Sequence, residues 1–125
     1  FSSACPLSAG TGPLTKEDVV GRLNRYGAKG ADDVTEEEIE AFYQRESVVH
    51  LVKTMPVDTL KSIRWYMDCG DDDFLTVGNA QLHIALTNKK VAHEFRIRDG
   101  AHNWTYWRTG VIDGLSFISD NFRAK

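Results

Sequence analysis

The segment from Lys61 to Gly100, KSIRWYMDCGDDDFLTVGNAQLHIALTNKKVAHEFRIRDG, decides the fold, because its hydrophobic period changes twice along its length. Ile63, Trp65 and Met67 alternate with Arg64, Tyr66 and Asp68, which predicts a strand ending at Cys69-Gly70. From Phe74 to Lys90 the spacing becomes helical, with Leu75, Leu82, Ala85 and Leu86 as its apolar face and Lys89 and Lys90 at the negative end of the helix dipole. Alternation returns in Val91, His93, Phe95 and Ile97 and stops at Asp99-Gly100. A strand, a helix and a second strand in this order form a crossover unit with parallel strands.

The flanks extend this pattern. Phe1 to Gly10, FSSACPLSAG, is small and apolar and reads as another buried strand. It opens in mid-element and without Met, so a preceding segment of the parent protein is expected. Thr15-Lys-Glu-Asp18 carries a helix-capping pattern, and Gly27 is expected to close that short helix. After a polar connector over Ala28 to Val34, Thr35 starts a second helix with Glu36, Glu37 and Glu38 in its first turn. Ser47 to Met55 continues helically until Pro56. At the other end Val111, Leu115, Ile118 and Phe122 recur at helical spacing. Residues 1–125 therefore read as one stretch of an α/β domain with a parallel sheet, and 11–60 as a helical excursion between strands.

A chain of 125 residues suits one domain, and a net charge of -3 is too mild for a nucleic-acid binder. No apolar run reaches the roughly 20 residues a membrane span needs, and no signal-peptide pattern opens the chain, which leaves localisation undefined. Cys5 and Cys69 match no metal or redox spacing and are expected as reduced, mostly buried thiols. Asp71, Asp72 and Asp73 are consecutive rather than alternating, which fails the calcium-loop pattern. His50, His83, His93 and His102 lack convergent metal spacing, and His93 reads as a core histidine. No metal and no cofactor is expected.

In a parallel sheet the chemistry sits beyond the carboxyl ends of the strands. Two loops hold that position: Asp68-Cys-Gly-Asp-Asp-Asp73 and Asp99-Gly-Ala-His102-Asn-Trp104. Each alone reads blandly, the acidic run as a helix cap and His102 as a surface loop residue. Together they offer a carboxylate and an imidazole, which can fix a tautomer and leave the second ring nitrogen to take a proton from a nucleophile. Trp104 could line a ligand pocket there, whereas Trp107 reads as an anchor for the last helix. Ser8 faces the same edge and reads first as a strand-ending turn.

Two signatures carry a specific resemblance. Gly70-Asp-Asp-Asp-Phe-Leu75 and Gly100-Ala-His-Asn-Trp-Thr-Tyr-Trp107 are similar to the C-terminal part of an esterase family of α/β-hydrolases. That family includes esterase D-like, feruloyl, other carbohydrate and tributyrin esterases and the antigen 85-like mycolyltransferases; Phe1 to Gly10 resembles its strand after the nucleophile helix. The resemblance implies that Asp73 is the triad acid and His102 the base, with Asp71 and Asp72 as rivals in a shifted register. The family's nucleophile is a serine on a GxSxGG elbow, and this sequence contains no such motif.

The resemblance thus implies the C-terminal half of a serine esterase, incomplete without an N-terminal half that would carry the serine and the oxyanion donors. The implied partners are a small-molecule ester, including acylated carbohydrates, and either that N-terminal half or another copy of this chain. Relatives are often exported. Acyl transfer by the same residues and a nonenzymatic α/β binding module are the competing functions.

Overall fold

A computed structural model describes residues 2–25 and 33–120. Among the described residues three strands form one parallel sheet in the order β1 (Ser3–Ala4), β2 (Arg64–Gly70), β3 (His93–Arg98). The β2–β3 register runs from Trp65 opposite His93 to Gly70 opposite Arg98, so both strands end side by side. The expected strand over Phe1 to Gly10 is much shorter. Pro6 has no N–H to donate to a ladder, and after it only an isolated Leu7–Asp68 bridge remains. Ser8, at φ +51°, then turns the chain away from the sheet, its N–H still donating to the Asp68 carbonyl at 2.8 Å.

The helices are α1 (Lys16–Arg25), α2 (Glu36–Glu46), α3 (Val48–Thr54), α4 (Val57–Lys61), α5 (Thr76–Asn88) and α6 (Trp104–Ser119). The capping patterns do what the sequence predicts. Thr15 Oγ1 accepts from Asp18 N at 3.3 Å while Asp18 Oδ2 accepts from Thr15 N at 3.0 Å. Thr35 and Glu38 form the same reciprocal box at the start of α2. Ser47 caps α3, and Met55 is its C-cap. Pro56, expected as a stop, is also the N-cap of α4, because a proline that cannot continue one helix can precede the next. Gly27, most of the Ala28 to Val34 connector, Phe1 and Phe122 lie outside the described residues.

One face of β2 supplies Met67 to a core with Val49 and Val52 of α3, Leu60 of α4, Leu82, Ala85 and Leu86 of α5, and Val91. The other face carries Tyr66 and Asp68 beneath α6. Here the sequence expectation needs correcting: Val111 and Leu115 are exposed, and α6 buries Tyr106, Gly110, Gly114 and Phe117 instead. A Cβ at Gly110 would lie 3.1 Å from Asp68 Oδ2, and one at Gly114 would lie 2.4 Å from Cys5 Sγ. Small residues, invisible to an apolar-stripe count, let α6 close onto the sheet. Cys5 and Cys69 are free thiols, both pushed up in pKa by burial. No described helix is long and apolar enough to cross a membrane.

Candidate active site

The two loops meet because glycines end the strands above them. A Cβ on Gly70 would fall 2.0 Å from the Gly100 carbonyl oxygen, so only glycine lets these backbones touch. Three hydrogen bonds lace the contact: Asp71 N to Arg98 O, Asp72 N to Gly100 O, and Gly100 N to Asp71 Oδ1, each 3.0 Å. A turn closed by Asp73 N donating to Gly70 O at 3.3 Å sends the three aspartates in different directions. Asp71 and Asp72 point to solvent, whereas Asp73 is 4% exposed.

Opposite lies His102, one residue before Asn103, whose side chain caps α6 by accepting from Tyr106 N at 3.1 Å. The His102 Nδ1 sits 2.9 Å from Asp73 Oδ2 and 3.2 Å from Oδ1. Asp73 Oδ1 also accepts from Leu75 N at 2.9 Å, and the Ser8 hydroxyl donates to the same carboxylate. Burial alone would raise the Asp73 carboxyl, but the bonds from Ser8, Leu75 and His102 outweigh it and hold it below the usual range. An ionised Asp73 needs the proton on Nδ1, which makes Nε2 the basic nitrogen. Among the described residues no hydroxyl or thiol hydrogen-bonds to His102.

Aromatic rings fix the imidazole from two sides. Phe74 lies 4.7 Å from it, centroid to centroid, and Trp107 meets it edge-on at 4.8 Å. Trp107 also donates its indole N–H to Ser8 Oγ at 2.9 Å, so it both anchors α6, as expected, and holds the residue that bonds Asp73. Ser8 is the turn the sequence suggested and a buried support of the carboxylate as well. Asn79 Nδ2 donates to Ala9 O at 3.0 Å and secures that turn from α5. Trp104, expected at a binding surface, is 71% exposed and reaches the site only through its edge contact with Trp107 at 5.4 Å. Phe74, which the helical spacing assigns to α5, precedes that helix and is 77% exposed.

The exposed carboxylates of Asp71, Asp72 and Asp99 lie close enough to share a cation, although one Asp71 oxygen already accepts two backbone N–H groups. His93 is half-buried and satisfied, with Nδ1 at 2.8 Å from Val91 O and Nε2 at 2.7 Å from His83 Nδ1.

No family model matches the chain. A stretch of 54 residues is 32% identical to an acetyl esterase of Caldicellulosiruptor saccharolyticus, covering 43% of this chain and 20% of that protein. Over 96% of its length the chain superposes on a ferulic acid esterase with a TM-score of 0.69 and 29% identity, covering 42% of that structure. The chain shares the α/β-hydrolase fold of this esterase. The fold likeness extends to FphF, a fluorophosphonate-binding serine hydrolase of Staphylococcus aureus, at a TM-score of 0.60 and 18% identity over 94% of this chain and 44% of that one. The chain spans a fifth of the acetyl esterase and less than half of either solved structure.

Proposed function

We propose that this chain supplies the acid and the base of a serine esterase, Asp73 and His102, and that the serine is carried by a segment outside these 125 residues. The observation behind this reading is the 2.9 Å approach of His102 Nδ1 to a buried, ionised Asp73, with Nε2 left as the basic nitrogen. His102 Nε2 takes the serine proton as the oxygen attacks the ester carbonyl, and Asp73 stabilises the resulting imidazolium. The same proton then goes from Nε2 to the departing alcohol, leaving an acyl-serine. Water repeats the cycle: it attacks the acyl carbon, gives its proton to Nε2, and the serine oxygen recovers that proton as the carboxylic acid leaves.

Small-molecule esters are the substrates this reading requires; Phe74 offers them an apolar face beside His102, and Trp104 a second one farther out, against Trp107. Oxyanion donors come with the serine segment.

Fluorophosphonate labelling tests the proposal. The 125-residue chain alone should neither label nor hydrolyse p-nitrophenyl acetate, whereas the longer protein should label at one serine and lose that label with His102→Ala. Hydrolysis by the isolated chain, or undiminished labelling of the variant, would refute it.

A further inference from the structure

Beneath the two loops lies a polar cluster that the proposed chemistry does not use. Asp68, on β2, is fully buried. Its Oδ2 accepts from Tyr66 OH at 3.0 Å and from Arg98 Nη1 at 2.7 Å, and its Oδ1 accepts from Tyr106 OH. The second Arg98 nitrogen, Nη2, pairs with Asp113 on α6. One carboxylate thus ties the ends of β2 and β3 to the first turn of α6.

As a stability device this is a poor choice, since a buried ion pair gains little over well-packed apolar groups once desolvation is counted. Its placement is more informative. His102 stands between Arg98 and Tyr106 in the chain, four residues from each, and Asp73 follows Asp68 by five. Both flanks of the His102 loop and the root of the Asp73 loop therefore converge on one buried anion. The approach is close: a Cβ on Gly100 would lie 2.5 Å from the Tyr106 ring, so the loop lies directly on the clamped side chain. Burial and the Asp68 anion together push the Tyr66 phenol up to about 12, and they raise Tyr106 as well, so both hydroxyls remain donors across the working pH range.

We infer that Asp68, Arg98 and Tyr106 are positioning residues that set the His102 loop at hydrogen-bond distance from Asp73. This rests on the proposed acid–base pairing of Asp73 and His102. Displacing the loop by 1 Å would stretch the 2.9 Å bond beyond useful length while leaving the substrate surface in place. Loss of the clamp should thus act on kcat and not on KM.

The test uses Tyr106→Phe and Asp68→Asn, with two readouts. In the 125-residue chain, proton NMR should show a low-field His102 Nδ1–H signal that broadens or disappears in either variant, while both still unfold cooperatively in urea. In the longer, serine-bearing protein, kcat for p-nitrophenyl acetate should fall about tenfold or more, equivalent to about 1.4 kcal/mol, with KM changed less than about twofold. Should Asp68→Asn fail to fold, Tyr106→Phe, which removes one hydroxyl and keeps the ring, decides alone. An unchanged signal and kcat in a folded variant would overturn the inference. Full activity in His102→Ala would instead sink the underlying acid–base reading, whatever the clamp variants do.

Discussion

Gly70→Ala is the substitution that most directly challenges the way the two loops are joined. The new methyl carbon would lie 2.0 Å from Gly100 O, 2.6 Å from Gly100 C and 3.2 Å from Ala101 N. All three atoms belong to backbone, so no side chain can rotate aside and the strand ends must part by about 1.4 Å to reach ordinary contact. That movement breaks some of the three 3.0 Å bonds between the loops. Overpacking and two lost hydrogen bonds together amount to about 3 to 5 kcal/mol. Urea denaturation of the 125-residue chain measures it, and with an m-value of about 1.5 kcal/mol per M the midpoint should fall by about 2 to 3 M. Gly21→Ala is the control, because a Cβ there meets nothing within 4 Å and alanine favours the α1 helix by up to about 1 kcal/mol. A Gly70→Ala midpoint within about 0.3 M of the parent would refute the close-contact argument.

Three further outcomes follow from the same geometry. Among the adjacent carboxylates, Asp73→Asn should depress kcat of the serine-bearing protein by orders of magnitude, and Asp71→Asn or Asp72→Asn far less; steady-state kinetics on the three variants checks the register. Because the folded Asp73 carboxyl is held below its ordinary value of 3.8, its contribution to stability is complete above that pH and lost as pH falls through the folded value. Ser8→Ala removes one of the bonds responsible, so urea midpoints between pH 5 and pH 2 should show a smaller acid-dependent loss in that variant. Thiol titration of the denatured, unreduced chain should find both Cys5 and Cys69 free.

Much of this architecture is legible in the residues. Alternation marks β2 and β3 because each has distinct faces, and Thr15, Thr35 and Ser47 announce helix starts through side-chain oxygens that local geometry alone satisfies. The Asp68–Asp73 and Asp99–Trp104 loops could be paired in advance because parallel strands end at one edge, while the choice of Asp73 among three consecutive aspartates comes from the resemblance alone. What was not legible depends on long-range packing. The buried face of α6 is set by Gly110 and Gly114, residues without hydrophobic signal, and so the conspicuous Val111 and Leu115 misdirect. Asp68 reads as an ordinary outward residue of an alternating strand until Arg98 and Tyr106 arrive from distant sequence to neutralise it. Ser8 is equally cryptic, since its importance comes from Trp107, 99 positions away.

The central claim, that His102 is the proton carrier of an esterase, stands or falls on His102→Ala in the serine-bearing protein. With p-nitrophenyl acetate as substrate, kcat/KM should drop about 10³-fold or more in a variant whose circular dichroism and urea midpoint match the parent, because no other described group hydrogen-bonds Asp73 from the position of His102. Near-parental turnover in that folded variant would contradict the account.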